Sequence, residues 1–555
     1  MTNSFEPSAN QDEDLGASDA SVASTANQAG IASIGEAFFA VEAAEDLYNW
    51  RVMGVQVWPV MRSRLLKYVM ANSGLFASSI GKQVDFYEDV EQYAGRKPAK
   101  LLWRATVWGW LGPLASWAYR PRPVPGTPNL SEPDYRNLRK KKAIVVPFAT
   151  RDGHEPHIEK FAQPVIDALG DRGLVLGVGT WDKITNRPRV EDLNGYFNRR
   201  WHYPAAVIVR LGVRKKDIAK YARVVALLEA KAGFSLDPVR TFPRWMLRIF
   251  FIQKHGYRKI FKRTKAKYVF AVNAARMPLQ AAAQSLGMKV IEIQSGVFSR
   301  YSLQFSWPGS PKIEYLPNEI WTWGEYWTSG IERAGGQSVR VIGSTAEFEQ
   351  TRERLHGKLS AEQIAAGLTP LVRVPKQVVV LSQPLIGIDI LKAAIDLAEA
   401  RPDLNVIFKL HPRNEIEEFA AFLAGVPFVK QTEIPNSQPA PVVATDQLSP
   451  RIPPANLKLM QFEQTSLEVI AESEISVGVF STALIEAAGL GSKVAIIKLP
   501  GWEHLAPLID GGYATAFENA TDMVAGIDLI KTPADPYFFY GHRANVQQIV
   551  DELLG

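Results

Sequence analysis

The sequence predicts an α/β protein of two doubly wound parallel-sheet domains facing a cleft, with a helical extension in front of them. Two observations carry this. Short apolar runs alternate with helical stretches twice over, first from Ala143 and again from Gln377, and such alternation implies parallel strands joined by crossover helices. The chain also has 555 residues, which exceeds what one ordinary core organises.

Residues 1–35 open the chain as a tail rich in Ser, Ala, Asn, Gln and Asp, a composition that cannot offset the entropy of ordering. A helical extension is expected over 36–135. In it Leu47, Trp50, Val57, Trp58, Met61 and Leu65 recur at helix-like spacing, and Pro59 is expected to break or kink the run. Pro121, Pro123, Pro125, Pro128 and Pro133 then form a stiff linker.

The first sheet domain is expected over 136–345. Its strand candidates are Ala143–Phe148, Leu174–Val178, Ala206–Leu211, Tyr268–Val272, Lys289–Ile293 and Glu319–Thr322, with helices at Ile158–Leu169, Ile218–Ala232 and Met277–Leu286. A linker over 346–376 leads to the second domain, 377–530. There the strands are Gln377–Leu381, Asn405–Leu410, Leu457–Met460, Ile475–Val479 and Lys493–Ile497. Helices fall at Ile388–Ala400, Ser466–Ser473 and Thr482–Leu490. Gln431–Ala455, with six prolines, reads as a long loop inside that domain. A terminal helix over about Asn545–Leu554, within 531–555, has an apolar face to bury on either domain.

Composition narrows the function classes. A hydrophobic share of 46% and a charged share of 22% are globular, and no apolar run reaches the ~18 residues of a membrane span. Zero cysteines exclude disulfides, thiolate metal sites and cysteine nucleophiles. Charge is segregated: residues 1–50 hold nine acids and no Lys or Arg, whereas Arg210 to Lys267 holds seventeen basic residues and three acidic ones, a run that could steer an anionic substrate, a lipid headgroup or nucleic acid. Between Arg96 and Lys142 eleven basic residues mix with Trp103, Trp108, Trp110 and Trp117. That stretch is a candidate interfacial surface, or a helical pair with its tryptophans turned inward. No zinc-finger, RNA-recognition or helix-turn-helix pattern accompanies the basic runs, so nucleic acid is not an expected partner. A cytoplasmic location is expected, with the inner face of the cytoplasmic membrane as a peripheral one.

Ligands of open parallel sheets bind beyond the carboxyl ends of the strands, and four such loops concentrate chemistry. In Phe408–Arg413 an apolar strand runs into Lys409, His411, Pro412 and Arg413, where His411 and Arg413 can donate to a phosphate or a base. Ser382 and Gln383 end the neighbouring strand. In Ile475–Gly491, Ser481 can cap a helix whose first-turn amides suit a phosphate, while Thr482 and Glu486 share a face and Glu486 suits ribose hydroxyls. In Glu292–Ser299, Gln294, Ser295 and Gly296 form a binding loop without a nucleophile-elbow pattern. In Ala149–His157, Arg151 can bind an acid group, and Asp152, His154 and Glu155 offer a general base. Each loop has a purely structural alternative: a plain turn, a helix cap or a solvated turn. Two histidines three apart at 154 and 157 lack a third local ligand, so no metal is expected.

Lys409-Leu-His-Pro412, followed some seventy positions later by Gly478-Val-Phe-Ser-Thr482 and by Glu486-Ala487, resembles the bacterial surface-polysaccharide glycosyltransferases of the GT-B fold. These include sialyltransferases, polysialyltransferases, Kdo transferases and polyol-phosphate capsule polymerases. The resemblance covers about residues 143–530. It implies that His411 and Pro412 line the cytidine monophosphate of a CMP-linked donor and that Ser481 and Thr482 hold its phosphate. It implies a nucleotide-sugar donor, a lipid-linked or polymeric glycan acceptor, and a role in capsule or lipopolysaccharide synthesis. Those sialyltransferases carry an acidic-acidic-Gly motif, of which Arg151-Asp152-Gly153 keeps the last two members, making Asp152 the expected base. Ser295-Gly296 stands where the polymerases have His-Gly, a departure from their mechanism. An epimerase, a polyol-phosphate transferase or a non-catalytic assembly protein on the same scaffold stay open alternatives.

Overall fold

A computed structural model of the chain describes residues 31–72, 138–147, 161–176, 205–233, 235–236, 239–272, 277–329, 331–384, 386–412, 414–425, 452–533 and 535–555. Two six-stranded sheets dominate it. The first comprises β3 (Ala143–Val146), β4 (Gly173–Val175), β5 (Tyr268–Val272), β6 (Lys289–Ile293), β7 (Glu319–Thr322) and β8 (Ser338–Val341), in the order β4-β3-β5-β6-β7-β8. The second comprises β9 (Val374–Leu381), β10 (Asn405–Lys409), β11 (Leu457–Met460), β12 (Ser473–Gly478), β13 (Lys493–Ile497) and β14 (Thr515–Phe517), in the order β11-β10-β9-β12-β13-β14. Every pairing in both is parallel. Strands covered by helices on both faces must be apolar along their length. Accordingly the four residues of β3 are all buried, as are the last four of β5 and of β13.

The expected architecture of two doubly wound domains is what the chain adopts, and several bounds differ for physical reasons. The strand expected at Ala206–Leu211 is helix, over 205–212. Its residues are β-branched, but Ala205, Val209 and Val213 are buried at a four-residue period while Ile208 and Leu211 are exposed, so the helical period prevails over composition. Two edge strands were not expected. In β8 exposed and half-buried residues alternate without an apolar run, and β14 is three residues long. The stretch 346–376, expected as a linker, contains the helices Ala346–Leu355 and Ala361–Ala365 and the start of β9.

The extension begins earlier than the sequence suggested. Helix α1 (Ile31–Ala44) takes in residues 31–35 and leads through a two-stranded turn, β1 (Arg51–Val52) and β2 (Val55–Gln56), to helix α2 (Trp58–Asn72). Pro59, expected to break a helix, sits in the first turn of α2, where its missing N–H costs nothing. The extension is locked to the body through a buried group of polar side chains. Glu42 accepts from Trp58 Nε1 at 2.8 Å and Tyr48 Oη at 2.8 Å and pairs with Arg62 at 2.6 Å. Arg62 also donates to the carbonyls of Leu303 and Ser306, and its guanidinium lies 4.1 Å from the Trp307 ring centroid.

The chain's end returns to the first domain. Tyr540 stacks between Trp323, just beyond β7, and Phe348, with centroids 5.3 and 4.3 Å away. The terminal helix Val546–Leu554 then packs on the first sheet's Gln163–Leu169 helix and buries Val546 and Val550. The terminal helix expected to dock on either domain therefore chooses the first.

Candidate functional site

The order of the second sheet reverses direction between β9 and β12, and at such a switch point the loops beyond the two carboxyl ends diverge and leave a crevice. Two of the loops expected to carry chemistry start there or one strand away, after β10 and β12, and Ser382 and Gln383 follow β9. The loops after β9 and β12 touch directly: the Phe480 amide donates to Gln383 Oε1 at 3.3 Å.

The loops after β9 and β10 are joined by Asn414, a residue the sequence did not single out. Its Oδ1 accepts from Ser382 Oγ at 2.9 Å and from the His411 amide at 3.0 Å. The Asn414 amide in turn donates to the His411 carbonyl at 2.8 Å, so the His411-Pro412 turn is closed at both ends. A Cβ at Gly387 would stand 3.0 Å from Ser382 Oγ and 3.2 Å from Asn414 Nδ2, which is why the helix Gly387–Ala400 begins without a side chain there.

These contacts redistribute the expected roles. Ser382, Gln383 and Lys409 are 4%, 5% and 4% exposed, and their polar atoms are directed at the loops. Lys409 Nζ donates to the carbonyls of Gln461 and Gln464, a cation set on loop carbonyls. The three hold the loops in place, and nothing in the structure tests their expected role toward a ligand. His411 and Pro412 stand further out, half-buried and exposed. Ser481 caps helix α4 (Thr482–Gly489; α3 is Lys215–Ala232), its Oγ accepting from the Ala483 amide at 3.2 Å. Ser481, Thr482 and Glu486 are half-buried. A negative charge placed before this helix meets the positive end of its dipole.

On the first domain Gln294 is fully buried. Its Oε1 accepts from the Trp323 amide at 3.0 Å and its Nε2 donates to the Gly296 carbonyl at 3.0 Å, so it ties the ends of β6 and β7 together and does not face an acceptor as expected. Ser295 and Gly296 are half-buried, and a Cβ at Gly296 would meet nothing within 4 Å. The loop ends at Ser299, whose Oγ lies 2.7 Å from His504 Nδ1 in the loop after β13. The carboxyl edges of the two sheets thus meet through a serine and a histidine 205 residues apart. Desolvation pushes the His504 imidazole down to about 4, leaving it neutral. Its ring lies 6.0 Å from that of Phe480, and Gly501, at φ 103°, would carry a Cβ only 2.4 Å from the Phe480 ring.

Arg151, Asp152, His154, Glu155 and Arg413 lie outside the described residues, as do the loop at 431–451 and the tryptophans at 103–117. Among the described residues no helix is long and apolar enough to cross a membrane.

No family model matches the chain, and no curated protein matches it in sequence. Solved structures do resemble it. The UDP-GlcNAc 2-epimerase of Methanocaldococcus jannaschii, in complex with UDP-GlcNAc and UDP, is 12% identical over 74% of this chain and 99% of its own, at a TM-score of 0.39. MurG of Acinetobacter baumannii is 13% identical over 74% of this chain and 98% of its own, at 0.38. CalG4, the calicheamicin glycosyltransferase, is 10% identical over 75% and 94%, at 0.37. These likenesses are remote. They transfer neither activity nor substrate, and the two-domain fold stands on the sheets themselves.

Proposed function

We propose that the chain is a glycosyltransferase that moves a sugar from a nucleotide donor, a CMP-linked acidic sugar such as CMP-Kdo, to a lipid-linked or polymeric glycan of a bacterial surface polysaccharide. The observation that carries the reading is the meeting, at one switch point, of the His411-Pro412 turn, the Gln383–Phe480 bridge and the Ser481 cap of α4. Gln383, His411 and the Phe480-Ser481 pair follow three different strands, and the sheet order brings those strands side by side. In this reading the donor phosphate lies before the first turn of α4, where amide N–H groups and Thr482 receive the charge that grows as the sugar departs. His411 donates to the nucleotide, and Glu486 suits ribose hydroxyls. The bond from the anomeric carbon to the phosphate oxygen breaks with its electron pair going to the nucleotide, and the acceptor oxygen forms the new bond. A base of the first domain, Asp152 before Glu155 or His154, takes the acceptor proton. Arg151, Ser295 and Gly296 would line the acceptor side. No metal is assigned a role, because the dipole and the amides supply positive potential at the phosphate.

The test is a thermal-shift panel of CMP, UMP, UDP and GDP on the purified chain, followed by CMP titration of His411→Ala. Ligand at about 100 times its Kd stabilises by about 2.7 kcal/mol, so CMP is expected to raise the melting temperature of the wild type and to do so less in the variant. A response to uridine nucleotides alone overturns the cytidine assignment, and no response to any nucleotide overturns the donor site. Asp152→Asn is expected to abolish transfer and leave CMP binding intact; turnover near that of the wild type removes Asp152 as the base.

A further inference from the structure

The helical stretch 205–212 turns two large aliphatic side chains to solvent. Ile208 is 55% exposed and Leu211 80%, while Ala205, Val209 and Val213 face inward. The stretch is packed in place, since a Cβ on Gly212 would stand 2.5 Å from the Met53 sulfur in the β1–β2 turn. Next to these aliphatics in the chain come Arg210, Arg214, Lys215 and Lys216, all exposed. Arg214 pairs weakly with Asp217, at 3.5 Å; Arg210, Lys215 and Lys216 make no ion pair among the described residues. A shallow cleft beside them is lined by Arg51, Arg214, Lys216, Lys220, Arg223, Asp46 and Asp217, with Arg51 also paired to Glu314 and Arg223 to Glu45.

The charges are placed against local preference. Helix α3 starts at Lys215, so Arg214, Lys215 and Lys216 crowd the end where a helix dipole disfavours cations. An anionic surface outside the protein would relieve that repulsion. Exposed aliphatic tips with exposed cations beside them in the chain match one kind of surface, in which anionic headgroups overlie an apolar phase. A nucleic acid would satisfy the cations but give Ile208 and Leu211 nothing to enter.

We infer that this face docks the protein on an anionic lipid bilayer, with Ile208 and Leu211 entering the boundary of the acyl region and Arg210, Arg214, Lys215 and Lys216 set against headgroup phosphates. The surface lies at the start of the Arg210–Lys267 basic run, one of whose expected partners was a lipid headgroup, and not in the tryptophan-rich stretch. It does not depend on what the loops beyond β9 and β12 bind, and its test reads attachment and not catalysis.

The test is flotation of the full chain with phosphatidylcholine–phosphatidylglycerol vesicles and with pure phosphatidylcholine vesicles, at low and raised salt. The wild type is expected to float with the anionic vesicles and to be released by salt. One cation near such a surface is worth about fivefold in affinity, so Lys215→Glu with Lys216→Glu should lower binding by at least about 25-fold. Ile208→Ser with Leu211→Ser should lower it by about tenfold or more. All four positions are exposed, and unchanged melting temperatures will show that the variants are folded. The inference is overturned if the wild type does not float with anionic vesicles, or if both double variants bind like the wild type, which would place attachment elsewhere. It is also overturned if millimolar inorganic phosphate alone abolishes binding at constant ionic strength, the mark of a soluble-anion site. Tight binding to single-stranded DNA that is lost with Lys215 and Lys216 but indifferent to Ile208 and Leu211, without vesicle binding, would make the face a nucleic-acid surface.

Discussion

Ser299 Oγ and His504 Nδ1, 2.7 Å apart, join the carboxyl edges of the two sheets. The imidazole is held at about 4, against 6.5 for a free histidine, because charging it would bury a cation. Between those values the unfolded chain binds a proton that the folded chain refuses. The stability His504 contributes is therefore whole above about pH 6.5 and falls as the pH drops towards 4, by up to about 1.4 kcal/mol per pH unit. Urea unfolding of the wild type and of His504→Gln at pH 7.5, 5.5 and 4.5 checks this. The variant, which can still bond to Ser299, should show the shallower acid loss. Equal slopes would sink the assignment.

Asn414 holds the turn that carries His411, through Ser382 Oγ and the His411 amide. Asn414→Ala leaves a buried hydroxyl and an amide without their acceptor, at a cost of about 1–3 kcal/mol. If His411 acts on a nucleotide, its affinity should fall about tenfold, since the loss of one positioned hydrogen bond is worth about 1–1.5 kcal/mol. Calorimetric titration with CMP, beside urea unfolding, separates the effects. A variant that loses stability and keeps full affinity would leave Asn414 with a purely structural task.

Much of this fold is legible in sequence where burial is two-sided. The strands Tyr268–Val272, Lys289–Ile293, Glu319–Thr322 and Lys493–Ile497 appear at their expected bounds, because a strand covered on both faces is mostly apolar along its length; the edge strand Leu457–Met460 also does, although Lys458 is exposed. Composition misleads at 205–212, where valine and isoleucine suggest a strand and the packing of Val209 and Val213 selects a helix. It is silent at β8, an edge strand whose alternating exposure leaves no apolar run to read. The site divides in the same way. His411 and Ser481 follow strands and could be placed by that fact. Asn414 acts through contacts with a neighbouring strand's loop, and Ser299 and His504 meet only because two domains do, so local spacing encodes neither.

Gly501 and Gly491 separate backbone strain from steric conflict. Both have positive φ, 103° and 73°, but a Cβ at Gly501 would lie 2.4 Å from the Phe480 ring and one at Gly491 would meet nothing within 4 Å. Gly491→Ala should therefore cost only the strain, about 1 kcal/mol. Gly501→Ala should cost about 1–3 kcal/mol more, as Phe480 is displaced, and should weaken any nucleotide bound beside Ser481. Melting temperatures and CMP affinities of the two variants make the comparison, and equal losses would show that the Phe480 ring yields freely.

Glu42 and Arg62 set the coupling of the extension to the body. Both side chains are almost wholly buried, at 2% and 1% exposure, and their closest atoms are 2.6 Å apart. Desolvation lowers the Arg62 guanidinium and the Glu42 carboxylate raises it again, so each charge is tolerated because of the other. Glu42→Ala removes the acceptor shared by Arg62, Trp58 and Tyr48 and leaves a buried cation against a gap. The expected loss is about 3–5 kcal/mol, that of breaking a buried pair from one side. Replacing both partners by apolar residues of similar size, Glu42→Leu with Arg62→Met, removes the charge penalty and should recover a large part of that loss. Urea midpoints of the single and double variants measure it. A single variant within about 1 kcal/mol of the wild type would mean that water reaches Arg62 and that α1 and α2 are held by their apolar faces alone.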